Sequence, residues 1–595
     1  MMRSLVATGW PRSRRAAWWR ALPALLCFPF AISACRHAGA PAAQPEHSAP
    51  AGGAATAGSA LAARPSRLTL FVTTRVQNTT EPCGCTSDPL GDVARVGALL
   101  RDTQGRGLLL DAGGLRYKPT PLPPEKQPQA RLKADFLERT WRDLGALIML
   151  QPADLMGPEG ARELSPRVVS NLDGLPAAQV QREAIRDLAG VRVGVLGLAA
   201  PGATWPTGIH VTDPVPVAEK TLASLRRQGA AITVALTGLP RDAARRLARK
   251  LPDLDILVAG ADDTLPDGVA KPEQVGKTLL VVPAGEAQRV IRINVYTGSD
   301  GSLDLSLRPT ESQRQEAHAQ LREQIRQAEQ RLRDLKADPQ SEPAFVQSTT
   351  EEIARLRNEQ MQLGQPLPSA GAYLTAELVP LGRALRRDDA IAQAMQALDR
   401  QIGEANLKAA APPIAALDGQ PSYVGAQACQ GACHFHDDAV AFWQKTLHAQ
   451  AFTTLVRAGK ELSYDCVGCH AVAFEEPGGS SLRSLIDWQR RSGPQAPPSV
   501  ADLRHVQCET CHGPGSAHVS SPSKHPIPVR QPDQDRCLVC HTKDHSDTFD
   551  WMPYLRDILG PGHGADRRAA LPAGPTAHEL RSAAIKKRSA NGHAP

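Results

Sequence analysis

The sequence predicts a multidomain protein: a layered α/β domain, a helical hairpin that acts as a spacer, and a C-terminal domain of short helices and irregular chain. Three observations predict this arrangement. Short β-branched runs alternate with amphipathic or polar stretches from residue 67 to about 297. Apolar residues recur at alternating intervals of four and three over residues 311–336. The last third of the chain holds four cysteine pairs, each followed by histidine.

The chain begins with the parts of a secretory signal. Arginines precede an apolar stretch at residues 21–32, and a small-residue pair stands before Cys35. This end resembles a bacterial lipobox, which implies that Cys35 is lipidated; the alternative is an ordinary signal in which Cys35 is incidental. We predict a lipoprotein-type signal peptide over residues 1–35. Residues 36–66, rich in Ala, Pro, Gly and Ser, are predicted to be a flexible tether.

Residues 67–308 are predicted to form the layered α/β domain, which is long enough for its own core. Runs such as residues 240–250, with Ala244 and Leu247 apolar among arginines, indicate surface helices. The predicted strands are 68–74, 108–110, 168–170, 191–198, 231–236, 255–259, 278–282 and 290–296.

Several strand ends carry short motifs. They are Leu68-Thr-Leu-Phe-Val-Thr-Thr, Gly91-Asp-Val-Ala-Arg-Val, Leu110-Asp-Ala-Gly, Gly190-Val-Arg-Val-Gly-Val-Leu-Gly-Leu and Leu254-Asp-Ile-Leu-Val-Ala-Gly. This series resembles the calcineurin-like metallophosphoesterases, in particular the 5′-nucleotidase branch. The resemblance implies a two-metal site, with Asp-x-His after the first strand, an Asp after the second, an Asn-His-Glu turn and histidines ending later strands. Two such metals polarise a phosphate and generate hydroxide.

The ligand positions of that family are not matched. No Asn-His-Glu turn stands near residues 150–157, and His210 is the only histidine between Ser48 and Ala317. We therefore predict a degenerate, metal-less binding or docking module without phosphatase activity; an active nucleotidase is the alternative. The other expected ligand positions hold Arg75-Val76-Gln77, Asp111-Ala112-Gly113-Gly114, Thr237-Gly238 and Gly260-Ala261-Asp262.

The run Glu81-Pro82-Cys83-Gly84-Cys85 is a feature that those enzymes do not need. Two cysteines one residue apart make a strained disulfide at best, and export disfavours simple thiols. A soft-metal or redox role is open, since thiolates bind copper(I) or zinc. A loop closed by a Cys83–Cys85 bond is equally open.

Residues 309–408 are predicted to be a helical spacer, and residues 409–421 a linker. A second apolar-periodic stretch at residues 350–363 suggests an antiparallel hairpin with the first. We expect it to pack on its own domain rather than form a dimerising coiled coil, because both helices are short. A further short helical layer is predicted over residues 372–408. The apolar positions of the hairpin are Leu321, Ile325, Ala328, Leu332, Leu335, Ile353, Leu356 and Leu363.

Cysteine pairs followed at once by histidine are the most specific pattern in the chain. The runs are Cys429-Gln-Gly-Ala-Cys433-His434, Cys466-Val-Gly-Cys469-His470, Cys508-Glu-Thr-Cys511-His512 and Cys537-Leu-Val-Cys540-His541. Cys-x-x-Cys-His attaches c-type haem: the sulfurs form thioethers with the vinyl groups, and the histidine becomes the proximal iron ligand. A zinc ribbon is the alternative, but zinc does not require the histidine. With 17 His in 595 residues, four of four by chance is about one in a million.

Four haem c groups are therefore predicted in a haem-packed tetrahaem domain at residues 422–565. The first site is irregular, because three residues separate Cys429 from Cys433. The extra residue can loop out while both sulfurs still reach the vinyl groups, so we retain this site; without it, three haems remain. Attachment of haem c outside the cytoplasmic membrane agrees with the predicted export.

The sixth iron position separates an electron carrier from a catalyst. A second histidine keeps the iron low-spin and suited to electron transfer, whereas an open position binds small molecules. His436 lies too close after His434 to reach across the same ring. The candidate distal ligands are His448, His518, His545 and His563.

Residues between the haem motifs carry a second resemblance. The segments are Ala441-Phe-Trp-Gln-Lys-Thr-Leu-His448-Ala, Asp465-Cys-Val-Gly-Cys-His470 and Gln507-Cys-Glu-Thr-Cys-His512-Gly-Pro-Gly. They resemble the tetrahaem cytochromes that accept electrons from hydroxylamine oxidation in ammonia-oxidising bacteria. The resemblance covers residues 422–564 and implies that one haem lacks a protein distal ligand.

We predict an exported, lipid-anchored electron carrier that exchanges electrons with periplasmic redox proteins. The formal charge of +7 does not favour nucleic acid, because four haems bring about eight negative propionates. One alternative is a multihaem reductase of a small nitrogen or sulfur oxide at an open iron. Another is a nucleotide-binding protein whose haem domain reports redox state. Residues 566–595 are predicted to be a disordered tail.

Overall fold

The computed structural model describes residues 67–82, 86–260, 264, 270–365, 371–432, 434, 438–491 and 501–590. These residues fall within one compact unit of the chain. The predicted signal peptide and tether, with Cys35, lie outside the described residues, and so do Cys83, Cys85 and Cys433. Among the described helices, none combines the length and the apolar character needed to cross a bilayer.

The strands lie in the first two thirds of the chain. They are β1 (Leu68–Thr73), β2 (Gly107–Asp111), β3 (Leu147–Ile148), β4 (Arg167–Val168), β5 (Leu172–Asp173), β6 (Val180–Gln181), β7 (Ala184–Leu188), β8 (Val191–Leu198), β9 (His210–Val211), β10 (Ile232–Thr237), β11 (Ile256–Val258), β12 (Glu273–Val275), β13 (Thr278–Val281), β14 (Arg289–Tyr296), β15 (Leu307–Arg308) and β16 (Tyr373–Pro380).

The helices divide into long ones that accompany the sheets and short ones that follow. The first group is α1 (Val93–Asp102), α2 (Gln127–Asp143), α3 (Pro214–Arg227), α4 (Arg241–Lys250), α5 (Glu311–Ala337), α6 (Pro343–Leu363) and α7 (Asp389–Ala409). The second group is α8 (Ala426–Ala432), α9 (Ala439–Trp443), α10 (Ala451–Ala458), α11 (Leu482–Arg491), α12 (Cys508–His512), α13 (Ser516–Ser520), α14 (Gln534–Leu538), α15 (Trp551–Ile558), α16 (Ala565–Ala569) and α17 (Ala577–Ala590).

Two six-stranded sheets form the centre of the α/β domain. Their strand orders are β15-β16-β14-β1-β2-β3 and β12-β13-β11-β10-β8-β7. The inner faces of both sheets share one apolar core, in which Leu70 of β1 and Val234 of β10 are completely buried. The outer face of the first sheet packs against α1, α2 and α7, and that of the second against α3 and α4. The domain is thus a four-layer sandwich, and the predicted layered α/β class is confirmed.

The predicted helical layer at residues 372–408 is wrong in its first half. This segment begins with β16, which pairs with β14 along eight residues; Tyr373 lies opposite Tyr296 and their rings stack at 4.4 Å. The second half is α7, whose Ile391 and Met395 pack on the first sheet. The α/β domain therefore does not end at residue 308, because long-range pairing brings β16 and α7 into it.

The predicted hairpin is confirmed as α5 and α6, inserted between β15 and β16. Ala328 of α5 is completely buried against Ile353 and Leu356 of α6. Gln313 of α5 donates a hydrogen bond to the carbonyl of Ala376 in β16 at 3.0 Å, which fixes the base of the hairpin to the sheet.

The predicted disordered tail is wrong for its described part. Residues 577–590 form α17, and the backbone N–H of His578 donates to Asp557 of α15 at 3.1 Å. Arg556 of α15 also donates to the carbonyl of Pro575 at 2.8 Å. These bonds hold the last helix against α15.

Candidate haem sites

The regular Cys-x-x-Cys-His runs fold as single helical turns. Helix α12 is itself the run Cys508–His512. At the last run, the backbone N–H of His541 donates to the carbonyl of Cys537 at 2.9 Å. A helical turn places both sulfurs and the imidazole of a run on one side of the chain.

The stretched first run closes in a wider turn. The backbone N–H of His434 donates to the carbonyl of Cys429 at 3.3 Å. This bond spans five residues where the last run spans four, as in a π-type turn. The extra residue is thereby absorbed between Cys429 and His434, while Cys433 lies outside the described residues.

The candidate distal ligand His448 lies opposite the proximal histidine His541. Their ring centroids are 6.2 Å apart, although 93 residues separate them in sequence. Burial lowers the pKa of His448 to about 4, and the imidazoles of His541 and His470 add to the effect. His448 is therefore neutral at ordinary pH, the form that binds a metal ion.

The candidate distal ligand His563 faces the proximal histidine His512 in the same way. Their ring centroids are 6.0 Å apart, with the rings perpendicular. A tight turn positions His563: its N–H donates to the carbonyl of Gly560 at 2.9 Å, and Gly560 donates in return at 2.9 Å. Gly562 has a φ of +66°, and a Cβ there would lie 2.4 Å from the backbone N of Ala439. Only glycine fits this turn.

The separation of these ring pairs matches an iron held between two imidazoles. Each iron–nitrogen bond is about 2 Å long, and adding the distance from each nitrogen to its ring centre gives about 6 Å between centroids. A carbonyl engages the Nδ1 atom of two of these four rings: Val529 that of His512 at 2.6 Å, and Ile558 that of His563 at 2.7 Å. The Nδ1 of His541 lies 3.1 Å from the hydroxyl of Ser546. Such bonds orient a ring and leave its Nε2 for a metal. The residues therefore fit haem iron.

His470, the proximal histidine of the second run, differs from His512 and His541. Within the described ranges, no histidine ring makes a ring contact with it. Its Nδ1 engages the carbonyl of Ala451 at 2.6 Å, which again leaves Nε2 for iron. The nearby His505 accepts the N–H of Phe452 at its Nδ1, at 3.2 Å, so its proton is on Nε2. His505 in this form does not ligate iron through Nε2.

His518 and His545 are not brought into ring contact with a proximal histidine within the described part of the chain. The Nδ1 of His518 lies 2.8 Å from the carbonyl of His525, and that of His545 lies 2.9 Å from the hydroxyl of Thr542. Their assignment as distal ligands stays a prediction.

Cysteines of different runs adjoin in two pairs. The thiols of Cys429 and Cys508 lie close enough to interact, and this interaction, with burial, raises the pKa of Cys429. Cys540 and Cys469 interact in the same way, which raises the pKa of Cys540. The first site therefore adjoins the third, and the second adjoins the fourth, at their sulfur-bearing sides.

Glu509, between the cysteines of the third run, is a site residue that the sequence analysis missed. It is 1% exposed. Its carboxylate accepts the backbone N–H groups of Val424 (3.0 Å), Gly425 (2.7 Å) and Gly515 (2.7 Å). Burial raises the pKa of Glu509, while these three N–H groups oppose the shift. Because Gly425 precedes α8, Glu509 joins the first site to the third; a charged residue inside a haem run was its signal in the sequence.

The strand ends of the α/β domain meet at one edge, where the family resemblance implied metals. Arg75, after β1, donates its N–H to the carbonyl of Gly113 at 2.7 Å. Gln151, after β3, donates to the carbonyl of Ala112 at 2.8 Å. A Cβ on Gly238 would lie 3.3 Å from the Gln151 side chain. In the described residues no group of three or more His, Cys, Asp or Glu is placed to hold a metal ion.

One of the two completely buried carboxylates at this edge is Asp111; the other, Asp154, accepts the backbone N–H groups of Gly114 and Gln151 at 2.9 Å each. Asp111 accepts hydrogen bonds from the hydroxyl of Thr73 at 2.7 Å and from the indole N–H of Trp141 at 3.1 Å. Burial raises the pKa of Asp111 to about 6, against these bonds. Its hydrogen bonds thus connect β1, β2 and α2.

The C-terminal part of the chain, which contains the cysteine runs, is similar in sequence to known cytochromes. Residues 428–513 match the family model described as cytochrome c554 and c-prime. A 76-residue segment is also 40% identical to the C-type polyheme cytochrome OmcB of Geobacter sulfurreducens. That segment is 13% of this chain and 9% of the relative. We refer to residues 422–565 as the cytochrome region; the similarity of residues 428–513 within it, which contain the first three cysteine runs, supports haem c and electron transfer.

Solved structures are similar to the α/β part. A 5′-nucleotidase precursor from Thermus thermophilus is 18% identical with a TM-score of 0.39, and the match covers 60% of this chain and 61% of that chain. The sulfate thiohydrolase SoxB, from the same species, is 12% identical with a TM-score of 0.37, over 59% of this chain and 63% of that chain. We attribute neither protein's activity to this chain on such a likeness.

Proposed function

We propose that the cytochrome region is a tetrahaem electron carrier. The observation that carries this proposal is the placing of two imidazole pairs, His448 with His541 and His512 with His563, at about 6 Å between centroids. Bound haem supplies one-electron chemistry at iron, cycling between ferric and ferrous states. Two histidines per iron keep its coordination unchanged when an electron arrives, so little reorganisation accompanies the transfer.

The residues of the chain have separate roles in this proposal. The paired cysteines hold the groups in place, and the carbonyls behind His512 and His563 orient the rings. The contacts Cys429–Cys508 and Cys469–Cys540 bring sites together in pairs, which shortens the distance an electron crosses. His434, His470, His512 and His541 are the proposed proximal ligands.

Coulometric reduction of the purified holoprotein tests the carrier. We expect four electrons per chain, with full reoxidation by a one-electron acceptor and no loss of haem absorbance. Three electrons would remove the stretched site at Cys429. Uptake of fewer than three, or zinc in place of iron, would contradict the proposal.

We propose further that the protein is exported and held at a membrane by lipid on Cys35, where it meets redox partner proteins of the periplasm. The support is the arginine-led signal and the small-residue pair before Cys35. We also propose that the α/β domain is not catalytic. The support is its sequence, in which Arg75 and Gln77 stand where the similar enzymes hold Asp and His.

The observation at His470 favours a second candidate function. No histidine ring faces it among the described residues, and His505 nearby has its Nε2 protonated. An iron held by His470 alone has an open position. Such a position would suit a small nitrogen or sulfur oxide; the adjoining fourth site would pass on electrons received from an external donor protein, and the protein would then be a reductase.

Carbon monoxide and paramagnetic resonance test this candidate. We expect at least one high-spin ferric iron per chain in addition to low-spin signals, and at least one carbon monoxide bound per reduced chain. Changing His505→Ala is the matched control, and it should leave both counts unchanged. Low-spin signals alone, with no carbon monoxide bound, would eliminate the reductase while leaving the carrier intact.

A further inference from the structure

The segment that precedes the second haem run is anchored on the α/β domain. Asn406 of α7 donates to the carbonyl of Leu462 at 2.8 Å and to the side-chain oxygen of Gln129 at 2.9 Å. The same oxygen of Gln129, on α2, accepts the backbone N–H of Tyr464 at 3.1 Å. Two amide side chains of the α/β domain thus bind one backbone carbonyl, that of Leu462, and one backbone N–H, that of Tyr464.

The anchor is buried. Gln129 is 2% exposed and Asn406 is 0% exposed, and a Cβ on Gly403 of α7 would lie 3.1 Å from the side chain of Leu462. Replacing either amide by an apolar side chain leaves a buried backbone group without its partner.

Two ion pairs flank the amides. Lys133 of α2 pairs with Asp465 at 2.5 Å. Lys460 pairs with Asp399 of α7 at 2.5 Å and also with Glu81. The segment from Lys460 to Asp465 is therefore bound at both ends and in the middle.

This segment leads directly into the turn that carries the haem cysteines. The backbone N–H groups of Cys466 and Val467 both donate to the carbonyl of Ser463, at 3.0 Å each. Val467 is completely buried beside Tyr464 in the main apolar cluster of the cytochrome region. A displacement of Leu462 or Tyr464 is thereby transmitted to Cys466 and, through the turn, to His470.

We propose that Gln129 and Asn406 are positioning residues of the haem site at Cys466, Cys469 and His470, so that the α/β domain forms part of this site. The proposal deepens the function given above and rests on haem attachment at Cys466 and Cys469. It gives the degenerate domain a role: it fixes the orientation of the imidazole that has no facing histidine among the described residues. An iron with one protein ligand depends more on the orientation of that ligand than an iron held from both sides.

The test uses the full-length holoprotein with Gln129→Leu, Asn406→Leu and Lys133→Met. Potentiometric titration followed by paramagnetic resonance reports each iron separately. We expect one redox component to shift while the others keep their potentials. The affinity of the reduced protein for carbon monoxide should change about tenfold in Gln129→Leu and Asn406→Leu. Lys133→Met leaves no buried polar group without a partner, because Asp465 is partly exposed. This variant should therefore fold normally, and it should shift the potential of the same redox component by less.

Arg131→Met is the matched control, because Arg131 also lies on α2 and is ion-paired, but with the exposed Glu163. It should leave all components unchanged. The inference is overturned if Lys133→Met and the amide variants retain wild-type potentials and affinity, or if all components move together. Absence of haem at Cys466 in peptide mapping of the wild type would instead contradict the proposed function. If the wild-type protein does not bind carbon monoxide, the potentials alone test the inference: it stands if one redox component shifts and falls if none does.

Discussion

Changing His448→Ala is expected to convert one low-spin iron into a high-spin iron that binds carbon monoxide. His448 faces His541 at 6.2 Å between ring centroids, and burial keeps it neutral. Removing the imidazole leaves the iron with His541 and an open position. Paramagnetic resonance should show one more high-spin centre per chain, and carbon monoxide binding should rise by one equivalent.

His545→Ala is the control for this experiment. Both histidines are candidate distal ligands by sequence, but the ring of His545 is bonded to Thr542 and lies in no described contact with a proximal ring. The spin states of the control should equal those of the wild type. Equal spectra for His448→Ala and the wild type would contradict the pairing with His541.

Changing Glu509→Ala is expected to have the largest effect on the stability of the cytochrome region. Three backbone N–H groups, those of Val424, Gly425 and Gly515, lose their acceptor in a buried site. At about 1–3 kcal/mol for each orphaned donor, the free energy of unfolding should fall by about 3 kcal/mol or more. Thermal unfolding followed at the haem absorbance measures this loss.

Glu476→Ala is the matched control, since the Glu476 carboxylate accepts one bond from Tyr423 at the surface, at 3.1 Å. Its effect should stay below about 1 kcal/mol. Glu509→Gln should fall between the two, because its amide oxygen still accepts while its NH₂ group meets a donor. A Glu509→Ala protein as stable as Glu476→Ala would show that the carboxylate does not join the first and third sites.

Local patterns predicted most of the α/β domain. Apolar, β-branched runs identified the central strands β1, β8, β10 and β14, because alternate residues of each strand are apolar and pack in the core that the two sheets share. The interval of four and three identified α5, whose Leu321 and Ile325 do face α6. In these elements the burial that stabilises the structure follows directly from the spacing of apolar residues.

The strand β16 could not be recognised from spacing. Leu378, Leu381 and Leu385 recur at helical intervals, yet Leu378 lies in the strand and Leu381 just after it. What stabilises the strand is its pairing with β14, about 80 residues earlier in the chain. Tertiary pairing overrides local propensity in such a segment.

The candidate proximal residues could be picked out because the cysteines and the histidine of each run lie on one turn. The sequence also named His448 and His563 as candidates, but not which run each one faces, because the chain returns from a distance to place them. His545 is four residues after His541 and was proposed on local grounds, whereas the ring that faces His541 belongs to His448. Glu509 was missed although a charged residue inside a haem run is visible in the sequence, because its partners are backbone N–H groups, which leave no mark on the side-chain pattern.

Mass spectrometry of the intact holoprotein under denaturing conditions, with iron and zinc analysis, tests the central claim most directly. Covalent thioethers survive unfolding, so the account predicts the mass of the mature chain plus four haems, four irons per chain and no zinc. Peptide mapping should place a haem on Cys429-Gln-Gly-Ala-Cys433-His434 as well as on the three regular runs. A chain that loses its iron on unfolding, or that carries zinc at these cysteines, would contradict the account.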